Sequence, residues 1–156
     1  ELVDYKVRIL DGVTDPRNVG AVLRTADAAG ATGVVVGRHR GARLTPAAVK
    51  AASGAVEHVP IVRVGGIPGA LERIHKEGCW VVGLDERGDA DIADVALLDQ
   101  PVALVLGAEG AGMSRLARER SDVLARIPMH GALESLNVSA AAAVAAYAVA
   151  RARRHD

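Results

Sequence analysis

The sequence has very few aromatic residues and no phenylalanine. Aromatic residues make up 2% of the 156 positions, although 50% of the residues are hydrophobic. Alanine, valine and leucine must therefore build the core. A chain of this length is expected to form one domain with a substantial buried interior.

The sequence also lacks an excess of charge of either sign. The 19 basic and 19 acidic residues cancel, which removes the global positive field typical of a stand-alone RNA-binding protein. An enzyme that binds RNA through a local patch or through another domain is compatible with this balance. Cys79 is the only cysteine, so we expect no disulfide, and neither it nor the five histidines suggest a metal site.

Long apolar runs are missing as well. The alanine-rich stretch near the C-terminus is interrupted by polar residues and is too weakly hydrophobic for a membrane span, and no signal peptide is recognisable. We therefore expect a soluble, cytoplasmic protein in a reducing compartment.

What the chain does have is a regular alternation of strand-like and helical patterns. Runs such as VALVLG are apolar on both faces, which is typical of strands buried between helix layers. The alternation predicts an α/β fold with a mainly parallel sheet, in one domain over residues 1–156. The predicted strands are 7–13, 33–37, 59–64, 79–85, 102–107 and 124–129, and the predicted helices are 18–29, 46–55, 68–76, 114–120 and 136–153.

Ligands of such sheets bind at the carboxyl ends of the strands, and the loop after the first strand is unusual. It reads DGVTDPRNVGAVLRTADAAGA. Asp15 and Pro16 indicate a turn, and Asn18 is placed to cap or begin the next helix. Arg24 and Asp27 could form an ordinary surface pair three residues apart. The alanines of this helix indicate that another element packs closely against it.

The second unusual loop is LVLGAEGAGMS, residues 104–114. Its glycines permit either a close approach of a ligand to the backbone or a positive φ. Their spacing is neither that of a dinucleotide-binding loop nor that of a phosphate loop. The carboxylate of Glu109 would repel phosphate, which argues against a nucleoside triphosphate.

The third unusual loop, IPMHGALESLNVS, leads into the alanine-rich helix. A helix N-terminus has unsatisfied N–H groups and suits polar or anionic ligands. On a second interpretation, Ser135 is only the N-cap and Asn137 a spare polar residue of the first turn. We expect the three loops to form one cluster, which contains Asn18, Arg24, Glu109, Ser135 and Asn137.

Taken together, NVGAVLRTADAAG, LVLGAEGAGMS and IPMHGALESLNVSAAAA resemble the three motifs of the SpoU/TrmH family of RNA ribose 2′-O-methyltransferases. The resemblance covers essentially the whole chain. The lead-in LDGVTDPRNVGA is most similar to the bacterial branch that methylates a guanosine ribose in 23S rRNA. The resemblance implies a SPOUT fold with a C-terminal deep trefoil knot, S-adenosylmethionine as cofactor, no metal, and a homodimer with each active site at the subunit interface.

The resemblance also implies roles for individual residues. Arginine's pKa, above about 12, makes its deprotonation costly, so we expect Arg24 to hold the substrate phosphate and orient the hydroxyl. Glu109 would hold Arg24 or Asn18 in place. The implied catalytic residues are Asn18, Arg24, Glu109, Ser135 and Asn137, and the implied cofactor-binding residues are Leu106, Gly107, Gly110, Ile127, Met129 and Leu136.

Several alternatives remain open at this point. The small N-terminal RNA-binding domain that is usual in this branch is absent from the sequence, so a tRNA ribose methyltransferase is a second candidate. A noncatalytic RNA-binding or assembly module with a vestigial pocket is a third. The basic cluster Arg38, His39, Arg40 and Arg43 is either a solvated loop or an RNA contact. Cys79 and Trp80 are predicted in the core.

Overall fold

The computed structural model describes residues 6–38, 45–108 and 110–154. The described residues form seven strands, five α-helices and three short 3₁₀ helices. The strands are β1 (Lys6–Asp11), β2 (Gly33–Gly37), β3 (Ile61–Val64), β4 (Trp80–Leu84), β5 (Ala90–Asp91), β6 (Val102–Gly107) and β7 (Val123–Arg126). The α-helices are α1 (Pro16–Ala28), α2 (Pro46–Ala52), α3 (Ile67–Lys76), α4 (Arg115–Glu119) and α5 (Val138–Ala152). The 3₁₀ helices are Ala55–Glu57, Ile92–Asp94 and Ala96–Asp99.

The seven strands form one sheet in the order β3-β2-β1-β6-β4-β7-β5, and every neighbouring pair is parallel. The carboxyl ends of all strands therefore lie along one edge. This confirms the predicted α/β fold with a parallel sheet. The bounds of β2 and β6 are the predicted ones, whereas β5 was not predicted because two residues show no periodicity.

Helices cover both faces of the sheet. Leu10 of β1 packs in a cluster with Leu23 of α1 and Ala142 of α5, whereas the next residue back, Ile9, packs in a cluster with Leu71 of α3 on the opposite face. The residues of β6 from Val102 to Leu106 are at most 1% exposed. Burial on both faces explains why the strand sequences are apolar without alternation.

Helix α1 begins earlier than predicted and packs tightly on its neighbours. It starts at Pro16, and Asp15 is its N-cap, with the Oδ1 atom accepting a hydrogen bond from the Arg17 N–H at 2.8 Å. The prediction that Asn18 caps or begins this helix is therefore wrong, because an Asp-Pro pair serves as cap and first helical residue as well as a turn. As the alanines of α1 predict, α2 and α5 both pack against it.

The amino edge of the sheet contains the chain's cysteine and tryptophan. Cys79 is 3% exposed, and burial, together with the charge of Asp122, raises its pKa to about 11. Trp80 is 40% exposed, so its predicted place in the core is wrong. It is the first residue of β4, and its ring contacts the edge of His75 with centroids 6.1 Å apart.

Within residues 6–38, 45–108 and 110–154, no helix has the length and apolar character that crossing a membrane requires.

Candidate active site

A cavity of about 600 Å³ opens at the carboxyl ends of β4, β6 and β7. Its walls come from the end of β4 and residues 85–87, the glycine-containing loop after β6, Arg118 of α4, and the chain from Ala125 of β7 to Ala141 of α5. The volume lies in the range of small-molecule sites. The cavity is at the edge of the sheet where the sequence predicts a ligand.

The loop after β6 folds back tightly upon itself. A Cβ atom at Gly107 would lie 2.2 Å from the backbone N of Met113 and 2.3 Å from the carbonyl C of Gly112, so only glycine fits there. Ala108 and Gly112 bond to each other, with the Gly112 N–H donating to the Ala108 oxygen at 2.8 Å. Gly110 and Gly112 have φ values of 76° and 69°, a region that favours glycine. Close approach and positive φ both occur in this loop.

The third loop ends at a cap that differs from the predicted one. Helix α5 begins at Val138, and its N-cap is Asn137. The Asn137 Oδ1 atom accepts hydrogen bonds from the Ser139 N–H at 2.8 Å and from the Ser139 hydroxyl at 2.5 Å. The interpretation of Ser135 as the N-cap is therefore wrong. Asparagine is as good a cap as serine, and the sequence offers both within three positions.

Asn137 also joins the third loop to the first. Its Nδ2 group donates a hydrogen bond to the Oδ1 atom of Asn18 at 3.3 Å. The two residues are 119 positions apart in sequence. Two of the three predicted loops are thus in direct contact through two of the predicted site residues.

The other predicted site residues divide into three groups. Arg24 is exposed on α1 and is not among the described residues that line the cavity. Glu109 lies outside the described residues, as do His39, Arg40 and Arg43 of the basic cluster. Eight predicted residues line the cavity. They are Ser135, Asn137 and the six predicted for the cofactor, Leu106, Gly107, Gly110, Ile127, Met129 and Leu136. Their chemical roles stay predictions.

Sequence reasoning missed a group of charged residues on the cavity wall. The Asp85 side chain is 8% exposed, and one of its oxygens lies 2.9 Å from the Arg118 Nε atom. Its other oxygen accepts a hydrogen bond from the Arg87 N–H at 2.8 Å. Glu86 lines the same wall. No sequence pattern marks these residues, because nothing in the sequence indicates that β4 lies beside β6.

The charges around the cavity are mixed. Asp85, Glu86 and Glu134 line the same cavity as Arg87 and Arg118. Such a wall does not favour a triphosphate, whose negative charge needs a surplus of cations. Among the described residues, no three histidine, cysteine or carboxylate side chains lie together as a metal site would require.

The model of the SpoU rRNA Methylase family matches residues 6–147. The chain belongs to this family. The resemblance read from the three motifs is thereby confirmed.

Individual SpoU relatives are similar over most of the chain. The 23S rRNA (guanosine-2′-O-)-methyltransferase RlmB of Pseudomonas putida is 46% identical over 148 residues, which are 95% of this chain and 59% of the relative. The chain thus spans about three fifths of that relative's length. The SpoU methyltransferase AviRb of Streptomyces viridochromogenes, solved in complex with AdoMet, has a TM-score of 0.89 at 34% identity, over 96% of this chain and 58% of its own.

A second solved structure matches over nearly its entire length. It was solved in work on the 2-OH methylation of C/U34 on tRNA, and it is 29% identical with a TM-score of 0.83. The match covers 93% of this chain and 93% of that chain.

Proposed function

We propose that the chain is an RNA ribose 2′-O-methyltransferase that uses S-adenosylmethionine and acts in the cytoplasm on a guanosine of 23S rRNA. The observation that carries the proposal is the single cavity on which segments of the glycine loop and the α5 loop converge. Asn18 of the first motif is bonded to its rim through Asn137. The 46% identity to the 23S rRNA (guanosine-2′-O-)-methyltransferase RlmB supports this substrate.

The cavity suits the proposed cofactor. S-adenosylmethionine supplies an activated methyl group on a cationic sulfonium. Leu106, Ile127 and Met129 offer apolar surface for a nucleoside, and the missing side chain of Gly107 leaves room against the strand end. The carboxylates on the wall suit a cationic ligand. The AdoMet complex of AviRb supports the same assignment.

We assign Arg24 to the RNA. Its side chain is exposed on α1, about one and two-thirds helical turns beyond Asn18. A permanently charged guanidinium can bind a phosphate through two parallel hydrogen bonds, which holds the neighbouring ribose in one orientation. Asn137 and Asn18 fix the start of α5 relative to α1.

We propose further that the active site is completed in a homodimer. Val144 and Tyr147 lie three residues apart on α5 and are 43% and 52% exposed, so they form part of one face. Leu133, just before the helix, is 77% exposed. Exposed apolar side chains of this size suit an interface. In such a dimer, Arg24 of one copy would serve the cavity of the other.

The proposed trefoil knot is supported by the path of the chain after β7. Residues 127–137 return from β7 along the cavity formed by the ends of β4 and β6, and α5 then packs against α1. An experimental trace in which this segment passes the loop after β6 without threading through it would contradict the knot.

The cofactor and the reaction are tested separately. Calorimetric titration with S-adenosylmethionine should show binding by the wild-type chain, and mapping should reveal a new 2′-O-methyl group on 23S rRNA. Arg24→Ala should keep cofactor binding and lose methylation. Arg17→Ala, at another exposed arginine of the same helix, is the matched control and should retain most of the activity. Near-normal turnover of Arg24→Lys would contradict the role of a planar, two-bond contact.

The shared active site predicts complementation between two inactive variants. Arg24→Ala and Gly107→Val, co-expressed with different tags and purified as a heterodimer, would contain one intact site of two. Activity of about half the wild-type value per dimer is therefore expected. A heterodimer as inactive as its parents would place Arg24 and the cavity of one chain in the same site.

A tRNA substrate is the second candidate, and one observation favours it. The structure described for the 2-OH methylation of C/U34 on tRNA matches this chain with a TM-score of 0.83 at 29% identity. Methyl mapping on tRNA beside 23S rRNA distinguishes the two substrates. If the wild-type chain binds no S-adenosylmethionine, the noncatalytic RNA-binding module is the correct interpretation.

A further inference from the structure

Asp11 is a buried carboxylate that the proposed mechanism does not use. It is the last residue of β1 and is 9% exposed. Its Oδ2 atom accepts a hydrogen bond from the backbone N–H of Ser114 at 2.7 Å, across 103 positions of sequence. A bond this short between a carboxylate and an amide belongs to the strong, charge-assisted class.

The bond holds the far end of the glycine loop. Gly107, where the loop begins, is paired with Asp11 in the sheet. The loop then turns back through the Ala108–Gly112 bonds, and Ser114 is the residue at which it ends and α4 begins. Asp11 therefore fixes the loop's end directly beside its beginning. The same strand end leads into the segment that carries Asn18.

Asp11 acts from behind the loop. Gly112 and Met113 line the large cavity, whereas Asp11 and Ser114 do not. Asp11 and Ser114 line a smaller cavity of about 370 Å³ at the ends of β1, β2 and β3. The carboxylate therefore reaches the large cavity only through the backbone of the loop.

We propose that Asp11 is a positioning residue for the cofactor: its carboxylate holds the glycine loop in the shape that binds S-adenosylmethionine. This inference rests on the proposed function of the cavity. It predicts that removing the carboxylate weakens cofactor binding although no atom of Asp11 touches the cofactor.

A second carboxylate provides a matched control. The Oδ2 atom of Asp122 accepts a hydrogen bond from the Val81 N–H at 2.8 Å, across 41 positions of sequence. This bond lies at the amino edge of the sheet, where β4 begins. It has the same chemistry and nearly the same length as the Asp11 bond, but no loop of the cavity depends on it.

The experiment compares Asp11→Ala, Asp11→Asn and Asp122→Ala in the 156-residue chain. Calorimetry with S-adenosylmethionine should show affinity at least about tenfold weaker for Asp11→Ala, as expected for the loss of a charged hydrogen bond. Asp11→Asn keeps an oxygen acceptor without the charge and should be intermediate. Asp122→Ala should lower the unfolding temperature and leave the affinity within about twofold.

Hydrogen exchange gives a readout that needs no cofactor. The amides of Ala108, Gly112 and Ser114 should exchange faster in both Asp11 variants and at the wild-type rate in Asp122→Ala. If Asp11→Ala does not fold, Asp11→Asn carries the test. Wild-type affinity together with wild-type exchange in a folded Asp11 variant overturns the inference, whereas absence of binding by the wild-type chain overturns the proposed function.

Discussion

At each end of the parallel sheet, an aspartate carboxylate accepts a hydrogen bond from a backbone N–H. We expect the loss of this bond to have different effects at the two ends. At the amino end, the carboxylate of Asp122 holds the backbone of β4 itself. At the carboxyl end, the carboxylate of Asp11 holds a loop that has left the sheet. A bond to a strand is backed by the ladder on either side, so its loss should cost stability alone. A bond to a loop also determines the shape of a cavity.

The segments that connect helices and strands also differ between the two ends of the sheet. At the amino end, α1 and α3 run into the following strands through short turns that contain Gly30 and Gly78, both with positive φ. Such turns are a common way to end a helix. At the carboxyl end, the stretch from β7 to α5 has no regular structure over residues 127–137. Stability is concentrated at one end and ligand contact at the other.

Among the variants that test this comparison, we expect Gly107→Ala to have the largest effect. The new Cβ atom would lie 2.2 Å from the backbone of Met113, so the loop must move. We expect loss of cofactor binding and a decrease of about 1–3 kcal/mol in the free energy of unfolding, measured by calorimetry and thermal unfolding.

The matched control for Gly107 is a strand glycine at the amino end. At Gly33, the first residue of β2, a Cβ atom would lie 3.5 Å from the Pro60 oxygen, which is an ordinary van der Waals contact. Gly33→Ala should therefore keep both stability and binding. Normal cofactor affinity in Gly107→Ala would contradict the role of the tight loop.

A smaller effect is expected at Asn137, where two functions of one side chain can be separated. Asn137→Asp keeps the cap acceptor and adds a charge that suits a helix N-terminus, but it loses the amide that donates to Asn18. We expect the unfolding temperature to be maintained and methylation to fall. Asn137→Ala should lose both, with a cost of about 1 kcal/mol in stability.

Thr45→Ala is the corresponding control at a cap outside the cavity. The Thr45 hydroxyl accepts a hydrogen bond from the Ala48 N–H at the start of α2. Its removal should cost about 1 kcal/mol and leave methylation unchanged. Equal losses of activity in Thr45→Ala and Asn137→Asp would show that helix stability, rather than the bond to Asn18, governs the site.

The smallest effect is expected at the amino end and only in alkali. The pKa of the Cys79 thiol is raised from 9.0 to about 11, so between these values the folded chain keeps a proton that the unfolded chain has lost. Stability should therefore fall as the pH rises through this window. The measurement compares the unfolding midpoints of wild type and Cys79→Ala from pH 8 to 11. The midpoint of the wild type should fall more steeply with pH than that of the variant.

The pH dependence of the wild type alone does not isolate the thiol, because Arg8 also titrates differently on folding. Burial lowers the pKa of Arg8 to about 10, so above pH 10 the folded chain releases a proton at lower pH than the unfolded chain does. This favours the folded state as the pH rises. The two groups act in opposite directions, and the difference between wild type and Cys79→Ala isolates the thiol. Identical slopes would show that the thiol does not titrate differently on folding.

Much of the local structure could be predicted from the sequence because the signals are local. Glycines mark both ends of β2 and the end of β6, and the predicted bounds are correct there. The errors at α1 and α5 occur where the sequence offers two capping residues within three positions, as with Ser135 and Asn137. Trp80 was placed in the core because its neighbours are apolar, although the first residue of a strand lies at the edge.

The site could be predicted only in part. The cavity-lining residues from Leu106 to Leu136 followed from the family motifs, not from periodicity or composition. Asp85, Arg118 and Asp11 were missed because their partners depend on β6 lying between β1 and β4. Strand order is a property of the whole chain, and hydrophobic periodicity does not encode it.

The wholly parallel sheet has a consequence for how the protein acquires its activity. No two neighbouring strands can be joined by a hairpin, and the central pair matches Lys6 with Val102. Folding by such distant contacts is slow, since chain entropy is lost before the contacts form. The bond between Asn18 and Asn137 requires nearly the whole chain to be present. During synthesis, the cavity therefore cannot close until the chain has been made as far as α5, because residues 134–141 complete its wall.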